Sequence, residues 1–338
     1  MKVLVTGGAG YIGSHTTVEL IGAGHEVVIV DNLVNADMTC VEGACRICGA
    51  DIPFEQADCC DAGAMDALFE KYRFDAVIHF AALKAVGESV SKPLEYYRNN
   101  LDSLMTVLET MRRHGTPNIV FSSSCTVYGQ ADRLPVTEQT PRREGSSPYG
   151  KSKQMCENIL SDTIAAYGDL TAIALRYFNP IGAHPSALIG ELPRGTPNNL
   201  LPFITQTAAG IREQLSIFGD DYDTPDGTNL RDYIDVVDLA QAHVAALERM
   251  FGGRSSEPFE VFNVGTGRAV SVLELVRRFE IVNGVKLNYR IVGRRAGDIV
   301  AVWADTARAN RELGWTAQRS LDDTLASAWR WEKAVRGM

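Results

Sequence analysis

Tyr149 and Lys153 stand four residues apart, and Ser124 precedes the tyrosine by 25 residues. Residues i and i+4 share one face of a helix. A phenol and an ammonium can therefore meet there, with a hydroxyl completing a proton path. A free tyrosine titrates near pH ~10 and is a poor base at neutral pH. A fixed positive charge ~4–6 Å away, at an effective dielectric of ~20, favours phenolate by roughly 3–4 kcal/mol. That is about 2–3 pKa units. The spacing thus predicts a Tyr149 that titrates close to working pH, where proton transfer is most efficient. Such pairs also occur on helices that do no chemistry, so partners are needed.

The elements that position the pair are legible. Residues 146–167 read as the helix: Ser146 and Ser147 suit the cap, Pro148 the first turn, and Met155, Ile159 and Leu160 form an apolar stripe. Asn118-Ile119-Val120-Phe121 reads as a buried strand that ends in Ser122-Ser123-Ser124. Further strand-like runs lie at 3–6, 26–30, 52–56, 76–80 and 171–176, with helix-like stretches at 11–21, 63–72 and 93–114. This alternation argues for an α/β fold, a doubly wound parallel sheet of Rossmann type. After Tyr177, prolines at 180, 185, 193, 197, 202 and 225 punctuate a loop-rich region. Helical patterns return at 236–250, 272–282, 306–313 and 321–332. The expected organisation is a nucleotide-binding domain over 1–180 and a smaller C-terminal substrate-binding lobe over 181–338. Segments near 234–270 are expected to return to the first domain.

The chain has 338 residues, 45% of them apolar and 22% charged, as in an ordinary globule. A formal net charge of −9 argues against a nucleic-acid partner, so any phosphate must be held locally. No apolar stretch approaches the ~20 residues of a membrane span. Met1-Lys2-Val3-Leu4-Val5-Thr6 runs into a strand without a signal-peptide cleavage pattern. A cytoplasmic location is the default expectation. Five of the seven cysteines lie between Cys40 and Cys60. Cys45 and Cys48 make one C-x-x-C, but Cys59 and Cys60 are adjacent and no histidine lies among them. Free thiols are expected there and no metal.

Thr6-Gly7-Gly8-Ala9-Gly10-Tyr11-Ile12-Gly13 joins the first strand to the first helix. Gly7, Gly10 and Gly13 let the backbone turn tightly and approach a pyrophosphate resting on the helix N-terminus. Asp31 ends the second strand 18 residues after Gly13. A carboxylate there accepts hydrogen bonds from ribose hydroxyls and repels a 2′-phosphate, which favours NAD over NADP.

Taken together, the glycine loop, Ser122-Ser123-Ser124 and Tyr149-x-x-x-Lys153 resemble the extended short-chain dehydrogenase/reductase family. Longer motifs are similar to its UDP-glucose 4-epimerase branch. These are the run from His79 to Ser89 (HFAALKAVGES), Arg176-Tyr177-Phe178-Asn179-Pro180, Pro197-Asn198-Asn199-Leu200, Arg231-Asp232-Tyr233-Ile234 and Trp303-Ala304-Asp305. The resemblance covers nearly the whole chain.

The resemblance implies an isomerase that interconverts UDP-glucose and UDP-galactose. Tightly held NAD would oxidise carbon 4, the 4-keto intermediate would turn, and hydride would return to its other face. Tyr149 would be the acid–base group, Lys153 its electrostatic partner and Ser124 the bridge to the sugar hydroxyl. Tyr11, Ile12, Asp31, Asn32, Asn35, Asp58, Cys59, Phe80, Ala81, Lys84, Asn99 and Phe178 would line the NAD site with the glycines and the catalytic trio. Lys84, Tyr177, Asn179, Asn199, Leu200, Phe218, Arg231, Arg295, Asp298 and Val302 would hold the UDP-sugar with Ser124 and Tyr149. Arg231 and Arg295 suit a diphosphate because guanidinium donates in pairs. A homodimer is implied, with 100–113 and the helix carrying Met155 and Ile159 as candidate faces.

Three positions depart from the family pattern. Cys125 replaces a common alanine, and Asp235 a usual histidine to which no role attaches. Val302 stands where some relatives carry a tyrosine that crowds the sugar's 2-substituent. The smaller valine leads us to expect action on UDP-N-acetylglucosamine and UDP-N-acetylgalactosamine too, unless a neighbour closes the gap. A nucleotide-sugar 4,6-dehydratase needs a further acid–base pair after the catalytic serine. Here the sequence is Ser124-Cys125-Thr126-Val127-Tyr128, so elimination lacks its groups. A 4-epimerase of pentose or uronate nucleotides stands as an alternative. A non-catalytic NAD sensor on the same fold is a third, but it has no need of Tyr149, Lys153 and Ser124 together.

Overall fold

Runs such as Val3-Leu4-Val5 and Val27-Val28-Ile29-Val30 are buried throughout, as strands covered on both faces must be. The structure, a computed structural model, describes residues 1–338 except Glu144, Ser146 and Ala296. The expected cap at Ser146 lies outside the described residues.

Strand and helix alternate through the first half: β1 (Lys2–Thr6), α1 (Tyr11–Gly22), β2 (Glu26–Asp31), α2 (Thr39–Cys48), β3 (Phe54–Gln56), α3 (Ala62–Tyr72), β4 (Ala76–His79), α4 (Val86–Ser91), α5 (Pro93–His114), β5 (Asn118–Ser124), α6 (Pro148–Tyr167) and β6 (Thr171–Tyr177). The second half runs β7 (Asn179–Ile181), α7 (Leu200–Ala208), β8 (Leu215–Phe218), β9 (Leu230–Arg231), β10 (Tyr233–Asp235), α8 (Val236–Phe251), β11 (Phe259–Val264), β12 (Val270–Ser271), α9 (Val272–Asn283), β13 (Tyr289–Val292), β14 (Ala301–Val302) and α10 (Leu321–Val335).

Seven strands make one parallel sheet in the order β11-β6-β5-β4-β1-β2-β3. The order reverses between β1 and β4, and such sheets receive ligands beyond the strand ends at that point. Thr6 lies beside Val30 on one side and His79 on the other, so the loops after β1, β2 and β4 meet. Helices α1, α2 and α8 cover one face, over Val5, Ile29 and Ile78. Helices α3, α5 and α6 cover the other, over Leu4, Val77 and Phe121. A third cluster, including Ile204, Ile217, Phe279, Leu325 and Trp329, forms the core of the smaller lobe. Although α8 and β11 come late in the chain, α8 packs on α1 and β11 pairs with β6.

Several elements differ from expectation. Strand β5 continues through Ser124, past the apolar run. Helices α2, α4 and α7 have no counterpart in the sequence reading, and the pattern at 306–313 becomes a wide π-turn at Ala309–Leu313. Helix α6 forms as its sequence asks. Ser147 Oγ accepts from Gly150 N at 3.2 Å, Pro148 opens the first turn, and Gly168 closes the helix at φ 67°. Among the described residues no helix is long and apolar enough to cross a membrane.

Candidate active site

The glycine loop is shaped by close approach. Gly7 takes φ +67°, and a Cβ there would lie 2.8 Å from Ala81 N. A Cβ on Gly13 would lie 2.5 Å from the Gly7 oxygen. Gly10 is less confined: its Cβ would meet only the Gly7 oxygen, at 3.1 Å. Gly10 also caps α1 without a side-chain hydrogen bond, which leaves first-turn N–H groups for an anion. Tyr11 and Ile12 begin that helix, and the Tyr11 hydroxyl donates to Gly182 O at 2.7 Å.

Asp31 closes the crevice. Its carboxylate accepts from Ala9 N at 3.2 Å and Leu33 N at 2.8 Å. Burial pushes its pKa up against those two bonds. Asn32 donates to Asp58 at 3.1 Å, and Asp58 also accepts from Cys60 N at 2.8 Å. Burial works against the Asp58 charge, but these bonds prevail and hold its pKa low. Cys59 is buried beside them and burial pushes its thiol far up, so it is no nucleophile. Asn35 is exposed at the rim, while Phe80 and Ala81 follow β4 at the switch point. Asn99 donates to Asn100 at 3.0 Å. The clear approach at Gly10, the unsatisfied helix start and the strand-end carboxylate fit a dinucleotide.

Across the crevice, α6 brings Tyr149 and Lys153 to the ends of β5 and β6. Tyr149 is 7% exposed and Lys153 4%. Lys153 Nζ donates to Ser122 O at 2.7 Å and lies 5.9 Å from the Tyr149 ring centre. The Ser122 hydroxyl and the Tyr177 hydroxyl are 2.6 Å apart. Ser124, at the tip of β5, acts on the Tyr149 phenol and lowers its pKa. The trio expected from sequence is therefore one cluster, and Tyr177 belongs to it.

Its electrostatics differ from the helical-spacing argument. Burial pushes the Tyr149 phenol up, and the Ser124 bond offsets only part of this. Burial also lowers Lys153 from 10.5 to about 8. A Coulomb gain of that size needs an ammonium aimed at the phenol. Here the ammonium is directed to a carbonyl, and removal from water outweighs what remains.

The residues expected on the sugar side fall into three groups. Val302 and Arg231 are register partners on β14 and β9. Val302 is 3% exposed and packs in a cluster with Val127, Tyr128, Val136, Phe178 and Ala304. Phe178, expected on the cofactor, thus lies in the Val302 wall. The charge of Arg231 acts on Cys125, beside Ser124, where burial still raises the thiol to about 12. Farther out, Arg295 pairs with Asp298 at 2.7 Å and its guanidinium lies 5.4 Å from the Phe218 ring centre. The third group joins Lys84 and Asn199 through Glu191, whose Oε1 is 3.3 Å from Lys84 Nζ and 2.6 Å from Asn199 Nδ2. Leu200 begins α7 directly after Asn199, and Asn179 N donates to Asp232 O at 3.0 Å.

Sequence reasoning missed several supports. Glu191 sits in no recognisable motif. Asn100 is a buried polar residue inside α5. It bonds Leu83 N at 2.8 Å, Leu83 O at 3.0 Å and Ser152 Oγ at 3.1 Å, fixing the loop after β4 to α6. Asp232 accepts from Thr266, Gly267 and Ala304 and so holds the loop after β14. Asp235, left without a role, caps α8 through Val237 N and pairs with Arg319 at 3.0 Å. The cysteines are free thiols, and among the described residues no three His, Cys, Asp or Glu side chains are grouped to hold a metal.

A family model described as the NAD dependent epimerase/dehydratase family matches residues 3–265. A UDP-glucose 4-epimerase of Bacillus subtilis (strain 168) is 50% identical over 334 residues, 99% of this chain and 97% of that protein. The fold is similar to the crystal structure of UDP-glucose 4-epimerase from Bifidobacterium longum in complex with NAD+ and UDP. The TM-score is 0.95 at 46% identity, over 99% of this chain and 98% of that one. It is also similar to a Stenotrophomonas maltophila UDP-glucose 4-epimerase solved with NAD and formylated UDP-arabinopyranose. There the TM-score is 0.96 at 50% identity, covering 100% and 99% of the two chains.

Proposed function

This chain belongs to the NAD dependent epimerase/dehydratase family, and on that footing we propose that it interconverts UDP-glucose and UDP-galactose and also takes their N-acetylated counterparts. The observation that carries the reading is the meeting of Tyr149, Lys153 and Ser124 at the strand ends, across from the glycine loop and Asp31. NAD held in that crevice would supply the hydride acceptor and donor. Gly7, Gly10 and Gly13 let the backbone approach the pyrophosphate, and Asp31 takes the ribose hydroxyls. Tyr149 accepts the proton of the 4-hydroxyl as carbon 4 is oxidised, and returns it on reduction. Ser124 orients that hydroxyl toward the phenol. Lys153, held by Ser122 O, supplies positive charge beside the phenolate. Arg231 and Arg295 anchor the UDP diphosphate while the sugar is held loosely enough to turn. Val302 leaves room for an N-acetyl group at carbon 2.

The test is to incubate the protein, without added NAD, with UDP-galactose, UDP-N-acetylgalactosamine and a UDP-pentose. Epimers of the first two are expected. Failure with UDP-galactose sinks the whole reading, and failure with the N-acetyl sugar alone removes the specificity reading. The pentose arm is included because the Stenotrophomonas relative was solved with a UDP-arabinopyranose derivative. Helices α5 and α6 leave Met105 and Met155 exposed, which supports a homodimer through this face; light scattering is expected to return twice the mass of one chain.

The lysine sets a pH limit. Its folded pKa, about 8, lies below the ordinary lysine value of 10.5. The ammonium is lost as pH rises through about 8, so kcat is expected to fall on the alkaline side near or below that value. The effect on stability has the opposite sign. Between about 8 and 10.5 the unfolded chain binds more protons at this site, so Lys153 costs less stability as pH rises. A fall in kcat that tracks unfolding of the protein would contradict this assignment.

A further inference from the structure

We propose that Glu157 is a positioning residue for the catalytic group, a clip that fixes α6 to the ends of β5 and β6 and supports the charge on Lys153; this rests on the epimerase reading above. Tyr149, Lys153 and Glu157 lie at i, i+4 and i+8 on α6, so they share one helix face. Ser123 and Arg176 are register partners on β5 and β6. Both direct their side chains to Glu157. The Ser123 hydroxyl donates to Oε1 at 2.6 Å, and Arg176 donates from Nε to Oε1 at 2.8 Å and from Nη2 to Oε2 at 2.6 Å. Arg142 adds a contact to Oε2 at 3.3 Å. The Glu157 side chain is 1% exposed and that of Arg176 6%.

The place of Ser123 gives the clip its consequence. It lies between Ser122, whose carbonyl receives Lys153, and Ser124, which faces Tyr149. The distance from helix to strand at Ser123 therefore sets both catalytic contacts at once. The arrangement also reaches the sugar wall. Arg176 Nη1 donates to the Tyr128 hydroxyl at 3.0 Å, and Tyr128 packs in the Val302 cluster. A buried bidentate arginine–carboxylate pair is a costly way to add stability but an effective way to fix geometry.

The charge acts as well as the shape. Lys153 faces Tyr149, Cys156 and Glu157 on its own helix, His79 on β4, and the Phe121 ring and Ser122 carbonyl on β5. Tyr177 on β6 and Tyr96 on α5 act on the adjoining phenol. His79 is neutral, lowered to about 3 by burial. Glu157 is the carboxylate in this company, and it favours the protonated lysine.

The experiment uses the holoenzyme and two substitutions, Glu157→Gln and Ser123→Ala. Both are expected to keep bound NAD and a wild-type KM for UDP-galactose, while kcat falls about tenfold to a hundredfold, as small misplacements of reacting groups cause. The alkaline limb of kcat moves to lower pH in Glu157→Gln only, because Ser123→Ala leaves the charge in place. Ser123→Ala removes one hydroxyl and keeps the ion pair, so it reports even where the glutamine variant folds poorly. Wild-type kcat in Ser123→Ala, or an unmoved limb in folded Glu157→Gln, overturns the proposal. Loss of the epimerase reading looks different, since the unsubstituted chain would itself be inactive, and that overturns both.

Discussion

Replacing Tyr149 by phenylalanine is expected to lower kcat for UDP-galactose by about 10²–10⁴-fold, the usual contribution of a positioned acid–base group. The ring stays, so the packing of a side chain only 7% exposed is preserved. What disappears is one hydroxyl, a stability change of about 1 kcal/mol. The melting temperature and the content of bound NAD should therefore remain near wild type while turnover collapses. The size of the effect follows from the way the site holds its proton. Burial works against the phenolate that must accept the sugar's proton, and the Lys153 ammonium, itself lowered to about 8, is the charge that supports it. Among the described residues, the Cys125 thiol beside Ser124 offers no replacement base, since burial pushes it up to about 12. Turnover of Tyr149→Phe within tenfold of wild type would remove Tyr149 from the mechanism.

The second large effect concerns specificity. Val302→Tyr is expected to depress epimerisation of UDP-N-acetylgalactosamine by at least about 100-fold while leaving UDP-galactose within about tenfold, because a clash can be aimed at one substrate alone. Behind Val302 the wall is closed: Phe178 is 4% exposed, Ala304 1%, and Val127, Tyr128 and Val136 0%. A larger ring has no room on that side and must extend away from the wall, which in the proposed reading is toward the sugar. Strain from overpacking, about 1–3 kcal/mol, would lower stability equally for both substrates. The ratio of the two kcat/KM values is therefore the decisive measurement. An unchanged ratio would assign Val302 to the wall and nothing more.

How much of this was legible in the sequence depends on where the determining contacts lie. Helix α6 was readable because Ser147 and Pro148 act locally. The crevice was readable because a glycine loop and a strand-end aspartate occur at fixed spacing. Strand β5 was read only over its apolar run because Ser122, Ser123 and Ser124 give no apolar signal. They are buried in the sheet because Tyr177 and Glu157, far along the chain, satisfy Ser122 and Ser123. Helix α2 was missed for a similar reason. Its Gly43 weakens a helical pattern, yet a Cβ there would lie 2.1 Å from Leu188 O, so packing against a distant loop requires the glycine. The Tyr149–Lys153 spacing anticipated that the two side chains meet, but not the burial that raises the phenol and lowers the lysine. Desolvation is set by everything that covers a group, and that is not written in the interval between two residues.

The late position of β11 bears on how the protein is made. Strand β6 is complete at residue 177, but its outer neighbour is supplied by residues 259–264. During synthesis the hydrogen-bonding edge of β6 stays open while the intervening segments emerge from the ribosome. Open edges of this kind invite pairing with other chains. A fragment ending near residue 180 would carry the glycine loop and the catalytic helix, yet lack the strand that seals the sheet. Truncation at the apparent domain boundary should therefore yield an aggregating product, whereas a fragment carried through Val264 keeps the β6 edge paired.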